Sequence, residues 1–181
     1  MPDHDVTTEA QWQVNTYNYT VIKNNGEDDE TTPYNYGAEI TLPSTPEQEG
    51  YTFLGWSDST DVMPAKNVVT EARWSINQYN VKFMMNEKEV LSSQDYDFGS
   101  TFVVPSDPDS IGHKFLGWNP EIVSTVVPAE SLVFVAQWSL NSYNYTIVKN
   151  NGEEDETTSY FYGEKIDIPS DPFKEGHTFL G

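Results

Sequence analysis

The stretch that decides the fold is YTFLGW at residues 51–56. It returns as HKFLGW at 113–118 and as HTFLG at 177–181. Equivalent positions lie 62 and then 64 residues apart in these stretches. A period of this length governs the fold before any local pattern does, because each period is one structural unit. The sequence therefore predicts an array of small repeats rather than one large domain.

Four further markers recur in the same order as the FLG phrase. They are a Trp, a Tyr, an aromatic residue followed by Gly, and a Pro: Trp12, Trp74 and Trp138; Tyr17, Tyr79 and Tyr143; Tyr36-Gly37, Phe98-Gly99 and Tyr162-Gly163; Pro43, Pro105 and Pro169. Residues 17–32 and 143–158 are nearly identical, whereas the repeat between them differs. Two repeat types, A and B, are therefore predicted to alternate.

The markers divide the chain into four predicted segments. Residues 15–76 make a complete repeat of type A, and residues 77–140 make a complete repeat of type B. Residues 1–14 match the closing part of a repeat, and residues 141–181 match the opening part of a further type A repeat. We expect each end to pair head-to-tail, either with a neighbouring repeat of a continuous array or with another copy of the chain.

Composition restricts the classes of function. The net charge is −20, from 29 acidic against nine basic residues, and this surface repels phosphate and excludes nucleic acid as a partner. Cysteine is absent, so the chain holds neither disulfides nor thiolate sites. No apolar run approaches the ~20 residues of a membrane span, so we predict that this segment does not span a membrane.

Alternation with a period of two residues predicts strands. In VVTEARWSI the residues predicted to share one face are Val68, Thr70, Ala72, Trp74 and Ile76. YNYTVIK, GYTFLGW and AEITLP, with STFVVP in the next repeat, predict further strands. Asn-Asn-Gly at 24–26 and 150–152 predicts a hairpin with a primed turn. The best helical candidate is a single turn near TPEQEG, so we expect a mostly β fold.

The combined pattern resembles the Listeria–Bacteroides repeat, also called the internalin B-repeat. The matching residues are Tyr36-Gly37, Ile40, Pro43, Pro46, Glu49-Gly50, Thr52 to Trp56, Met63 to Ala65, Val68, Ala72 and Trp74. The resemblance implies small β-grasp-like modules in tandem, in secreted or cell-surface proteins, with no shared catalytic residue. The middle repeat departs from the pattern in NPEIVSTVVPAE, at 119–130, which is longer and lacks the Met.

Each candidate site in the sequence also has a simpler interpretation. The carboxylates of Glu27–Glu30 and Glu153–Glu156 suggest calcium, but their spacing is not that of a calcium loop, so a solvated acidic turn is preferred. Asn18 and Asn144 begin N-glycosylation sequons, which matter only in a eukaryotic-type secretory pathway. The acids and the three scattered histidines form no distinguishable catalytic group. We predict no enzyme activity, no metal and no cofactor.

Two functions of different class remain. The preferred one is an extracellular or cell-surface structural segment, a stiff stalk or fibre whose repeats form an elongated rod, because few residues separate one repeat from the next. The alternative is an adhesin that recognises glycan or a cell-surface protein through exposed aromatic faces. Trp56 and Trp118 are interpreted as core anchors rather than sugar platforms. Trp12, Trp74 and Trp138 are predicted to be buried near repeat junctions.

Overall fold

The protein is all β in the part described by the computed structural model, residues 3–181; Met1 and Pro2, the start of the predicted segment 1–14, lie outside it. The chain forms ten strands: β1 Thr16–Ile22, β2 Glu30–Asn35, β3 Tyr51–Trp56, β4 Val68–Ile76, β5 Gln78–Met84, β6 Val90–Asp97, β7 His113–Asn119, β8 Leu132–Leu140, β9 Ser142–Ile147 and β10 Glu156–Phe161. The mostly β prediction is confirmed.

Both complete repeats build the same mixed four-stranded sheet. The orders are β2-β1-β4-β3 and β6-β5-β8-β7, and the last segment forms the two-stranded β10-β9. The first and last strands of each complete repeat are parallel and central, with Tyr19 opposite Val68 in one and Val81 opposite Leu132 in the other. This order agrees with the β-grasp-like module. By packing, the chain divides into two compact units, residues to Tyr79 with Asp97–Ser100, and Asn80–Tyr96 with Thr101–Gly181.

The FLGW phrase contains a β-bulge. Phe53 pairs with Trp74, Gly55 with Arg73 and Trp56 with Ala72, so two residues of β3 oppose one residue of β4. Gly55 holds φ at +122°, a conformation available essentially only to glycine. The extra residue reverses the alternation, so both Phe53 and Trp56 face the core, with ring centroids 5.3 Å apart. Gly117 repeats the bulge with φ at +128°.

Each complete repeat has its own small core. The buried side chains of the first are Tyr19, Val21, Ile40, Met63, Val68, Thr70 and Ala72, and those of the second are Val81, Phe83, Phe102, Val127, Phe134 and Ala136. Val127, fully buried, takes the place of Met63, so the middle repeat closes its core without the methionine of the family pattern. Glu71 and Arg73 lie on the exposed face, as the alternation predicted.

Three local predictions were wrong. AEITLP and STFVVP make only isolated bridges, Glu39 to Val62 and Thr101 to Val126, because only Ile40 and Phe102 need burial there and a Pro follows. The hairpin loop is not a primed turn, because the positive φ values fall on Asn24 and Gly26 and the loop runs from 23 to 29. TPEQEG forms no helical turn; it ends in a turn closed by Tyr51 N donating to Gln48 O at 3.1 Å.

Candidate functional site

The junction between successive repeats is one residue long. Asn77 alone separates β4 from β5. Its backbone N–H donates to the carbonyl of Gly50 at 2.9 Å, and its own carbonyl accepts from the N–H of Phe98 at 2.9 Å. Its side-chain oxygen accepts from the Thr52 hydroxyl at 2.6 Å. Asn77 therefore ties the turn before β3 of one repeat to the aromatic-Gly turn of the next.

An aromatic ring lies directly against a glycine at this junction. Gly50 has φ +75°, and a Cβ built there would sit 2.1 Å from the ring of Phe98. The ring therefore occupies the space that any other residue would need for its side chain. Tyr51 adds an edge contact, with its ring centroid 6.0 Å from that of Phe98. Position 50 requires glycine for two reasons, the positive φ of its backbone and the close approach of the Phe98 ring.

The second junction has the same construction. Gly112 has φ +73°, and a Cβ built there would sit 2.0 Å from the ring of Tyr162. Asn141 donates to the Gly112 carbonyl at 2.8 Å and accepts from the Tyr162 N–H at 2.9 Å. Because the contact recurs with a different ring and a different repeat type, it belongs to the repeat design. We call the glycine, the aromatic ring and the intervening asparagine the junction lock.

The equivalents of the lock residues in the last and first segments make no such contact among residues 3–181. Gly176 has φ +72° and nothing within 4 Å of the Cβ position, so this glycine has no ring against it. Tyr36 is the equivalent aromatic residue of the first repeat, and its side chain is 59% exposed. Its N–H already donates to the Asn15 carbonyl at 2.8 Å, as in the two complete locks. Gly176 thus has the φ value of Gly50 and Gly112, and Tyr36 has the backbone hydrogen bond of Phe98 and Tyr162.

A shallow groove of about 650 Å³ lies beside Asn77, and four of its polar side chains form two hydrogen-bonded pairs. Thr52 donates to Asn77 at 2.6 Å, and Gln78 donates to Asp97 at 2.9 Å. Because these side chains already form hydrogen bonds with each other, they stabilise the junction and are not left unpaired for a ligand.

In both acidic turns a lysine side chain pairs with two of the glutamates. Lys23 contacts Glu27 at 2.8 Å and Glu30 at 2.6 Å, and Lys149 makes the same pair with Glu153 and Glu156. The hydrogen bond from Lys23 holds the pKa of Glu27 below its usual value. Among residues 3–181 no three acidic or histidine side chains are grouped so that they could hold a metal ion. The calcium hypothesis therefore has no donor set in this part of the chain.

The tryptophans pack within their own repeats. Phe53 lies between Trp56 and Trp74, at 5.3 and 5.5 Å, and Phe115 between Trp118 and Trp138 at the same two distances. The Trp74 indole N–H donates to the Lys23 carbonyl at 2.9 Å, and that of Trp138 to the Met85 carbonyl at 3.0 Å. These four indoles are half-buried anchors.

Trp12, Trp74 and Trp138 were predicted to be buried. The prediction is wrong for Trp12, which is 92% exposed. The reason is that the neighbouring strands of its repeat are not among the 181 residues, so residues 3–14 pair with no strand there. Trp74 and Trp138 are buried less than predicted, and their hydrogen bonds are made inside one repeat.

The predicted sequons lie on strands. Asn18 is exposed on β1, with its backbone N–H bonded to the Asn67 side chain at 2.9 Å, and Asn144 is exposed on β9, where it accepts from Ser159 at 2.7 Å. Their glycosylation stays a prediction. No helix in residues 3–181 is long and apolar enough to cross a membrane.

The junction lock is the functional feature that the sequence did not identify. Gly50 and Phe98 both recur with the period of the repeat, but nothing in the periodicity assigns one to the other. A signal was present in the spacing, since each aromatic residue follows the Trp of the preceding repeat by 24 residues. Asn15, Asn77 and Asn141 recur with the same constancy.

Comparison with known proteins agrees with this architecture. The profile of the Listeria-Bacteroides repeat domain matches residues 17–73, 79–137 and 143–181. A protein of Evansella cellulosilytica, named as a membrane protein, is 30% identical over 97% of the chain and 29% of its own length. Internalin H of Listeria monocytogenes is 29% identical over 66% of the chain and 24% of its own length. The chain thus spans less than a third of each of these relatives.

A solved pair of tandem repeat domains, SHIRT domains 3–4 from a streptococcal cell surface protein, covers 70% of the chain at 15% identity with a TM-score of 0.30. Since the repeat profile matches most of the chain and a relative at 30% identity spans nearly all of it, the chain belongs to the Listeria-Bacteroides repeat family.

Proposed function

We propose that the chain is a stiff, non-enzymatic spacer in a cell-surface or extracellular protein. The observation that carries the proposal is the junction lock, which occurs twice with one connecting residue each time. A flexible connection needs several unpaired residues with rotational freedom. Here the single connecting asparagine is bonded on both sides, and a ring is wedged against a backbone that cannot move away without breaking two hydrogen bonds.

The location is inferred from the relatives. Internalin H and the proteins named as membrane proteins share this repeat over most of the present chain. The acidic surface, with a net charge of −20, suits a solvated spacer that resists association with other anionic surfaces.

The adhesin hypothesis receives less support. It requires aromatic faces that stand open to solvent, whereas Trp56, Trp74, Trp118 and Trp138 pack edge-on against phenylalanines. A spacer needs its aromatic residues for cores and junctions, which is where these rings lie.

Stiffness can be measured with spin labels attached to introduced cysteines, because the chain contains no cysteine of its own that would also be labelled. Lys66 and Glu130 are exposed and occupy equivalent positions in the two complete repeats. Spin labels on Lys66→Cys and Glu130→Cys should give one narrow distance distribution in double electron–electron resonance. Removing the ring with Phe98→Ala should broaden it, whereas Leu91→Ala, exposed on β6 and away from the lock, should not. A distribution that is already broad with the lock intact would overturn the proposal.

A further inference from the structure

The loop between β1 and β2 contains an Asn-Gly pair whose asparagine side chain bridges two segments of the repeat. The carboxamide oxygen of Asn25 accepts a hydrogen bond from the backbone N–H of Glu27 at 3.1 Å. Its amide nitrogen donates to the backbone carbonyl of Glu47 at 3.2 Å. Glu47 belongs to the loop that leads through Gly50 into β3. Asn25 therefore ties the acidic turn to the segment that carries the glycine of the junction lock.

The same arrangement occurs in the second copy of the type A sequence. The Asn151 carboxamide accepts from the N–H of Glu153 at 3.0 Å and donates to the carbonyl of Phe173 at 3.1 Å. In both copies the asparagine is half-buried and the glycine that follows it is exposed. Because two copies reproduce both hydrogen bonds, the arrangement belongs to the type A repeat.

An asparagine that precedes glycine can lose its amide group without an enzyme. The backbone nitrogen of the glycine gives up its proton to water or hydroxide and attacks the side-chain Cγ of the asparagine. The amide nitrogen leaves as ammonia, and a cyclic imide forms. Water then opens the imide at one of its two carbonyls and yields aspartate or isoaspartate. A side chain on the attacking residue hinders this step, and glycine has none.

The geometry around Asn25 favours each part of the attack. The Glu27 N–H donates to the oxygen that becomes negative when nitrogen adds to Cγ, and a donor in that position stabilises an oxyanion. This hydrogen bond closes an Asx turn, a ring that contains both Cγ and the Gly26 nitrogen. The Gly26 N–H donates to no acceptor in residues 3–181. Beyond its chain neighbours nothing lies within 4 Å of the Gly26 Cβ position, so the attack meets no obstruction.

The second complete repeat contains an asparagine that serves as an internal comparison. Asn86 lies in the loop between β5 and β6, and its carboxamide oxygen accepts from the N–H of Lys88 at 2.9 Å. The Asx turn is therefore present there as well. The next residue is Glu87, however, and its side chain crowds the attacking nitrogen. Asn25 and Asn86 thus share the turn and differ in the residue that would attack.

We propose that Asn25 is a site of spontaneous deamidation in the folded protein, and that its conversion releases the acidic turn from the Glu47 carbonyl. The product carries a carboxylate, which has no N–H to donate to that carbonyl. The new charge also lies in a turn that already holds Asp28 and Asp29. Asn151 undergoes the same conversion. The proposal is independent of the spacer function, because it concerns a bond within one repeat.

The first test follows the folded chain over time in mildly alkaline buffer by peptide mapping with mass spectrometry. Isoaspartate is counted with an isoaspartyl methyltransferase. Asn25 should convert about tenfold faster than Asn86 in the same molecules, and its rate should lie within about tenfold of the rate in urea-unfolded chain. Conversion of Asn25 no faster than that of Asn86 would overturn the proposal. Conversion that is essentially confined to the unfolded chain would overturn it as well.

A matched variant moves the reactive pair to the other repeat. Glu87 is exposed, and Glu87→Gly places a glycine after Asn86 while the Asx turn stays available. Conversion at Asn86 should rise by about tenfold, whereas the rate at Asn25 in the same chain should not change. An Asn86 rate that stays at its original value would show that the turn and the glycine do not act together.

The second test measures the loss of the tie. Asn25→Asp should lower the urea midpoint, and the deamidated fraction of aged protein should show the same lower value. Gln94→Glu makes the same amide-to-acid change on the exposed face of β6 and should leave the midpoint unchanged. Added salt screens repulsion from the new charge but does not restore the hydrogen bond, so the difference should persist in high salt. Equal midpoints for the two variants would overturn the release of the turn.

Discussion

Replacing Gly50 with alanine should weaken the fold by far more than the change of one methyl group suggests. The first cost is conformational, because a residue with a side chain at φ +75° is strained by about 1–2 kcal/mol. The second is steric, because the new Cβ would lie 2.1 Å from the ring of Phe98 and the ring must move. Overpacking of this kind costs about 1–3 kcal/mol. We therefore expect the free energy of unfolding to fall by about 2–5 kcal/mol.

The chain contains a control for the conformational cost. Gly99 has φ +72°, almost the same as Gly50, but nothing lies within 4 Å of its Cβ position. Gly99→Ala should therefore lower the free energy of unfolding by the strain alone, about 1–2 kcal/mol. Urea denaturation followed by tryptophan fluorescence gives both values under identical conditions.

A double-mutant cycle isolates the contact. When Phe98→Ala has removed the ring, Gly50→Ala should cost no more than Gly99→Ala, so the two substitutions should couple by about 1–3 kcal/mol. Equal effects of Gly50→Ala and Gly99→Ala in the otherwise unmodified chain would refute the lock. Additivity of Gly50→Ala and Phe98→Ala would refute it independently.

Three further predictions concern single repeats. Trp74→Ala should lower the free energy of unfolding by about 2–3 kcal/mol, because the half-buried ring and its hydrogen bond are lost. Trp12→Ala should change the free energy of unfolding by less than about 0.5 kcal/mol, because that side chain is exposed. Denaturation curves of the two variants test both values. Tyr19→Phe should leave the thermal midpoint unchanged or raise it, because the buried Tyr19 hydroxyl lies near the Thr70 side chain without a hydrogen bond of good geometry. A midpoint that falls sharply would show that these two hydroxyls are bonded. The lowered pKa of Glu27 means that its pairing with Lys23 stabilises the fold fully above the unfolded-state pKa of about 4.3, and that this contribution is lost as the pH falls through the lower folded-state value. Glu27→Gln should therefore be destabilising at pH 7 and neutral below both pKa values, as acid titrations of the two proteins would reveal.

The repeats and the strand faces were predictable because both depend on local spacing. Val68, Thr70 and Ala72 alternate with charged or exposed residues, and the structure buries all three. The FLGW stretch does not follow this alternation of inward and outward side chains. Phe53 and Trp56 are three residues apart, which in a regular strand places them on opposite faces. The β-bulge at Gly55 brings the two side chains to the same face, and a period-two pattern cannot predict a bulge.

The junction could not be predicted from periodicity, and the reason is specific to repeats. Every repeat contains both an aromatic-Gly pair and a glycine before the FLG strand, at constant intervals. Gly50 has Tyr36 before it in the same repeat and Phe98 after it in the next. The sequence interval alone therefore does not show which of the two rings packs against Gly50. Geometry decides for Phe98, because Asn77 brings its turn to the Gly50 carbonyl.

The parallel pairing of the first and last strands also determines how a repeat would bear mechanical load. The chain enters each complete repeat at the start of β1 or β5 and leaves at the far end of β4 or β8, which lie side by side and run in the same direction. Tension along the chain therefore pulls the two strands past each other. The ladder hydrogen bonds between them are strained together, in shear, rather than opened one at a time from an end. Two strands paired in this way therefore resist separation when tension is applied along the chain.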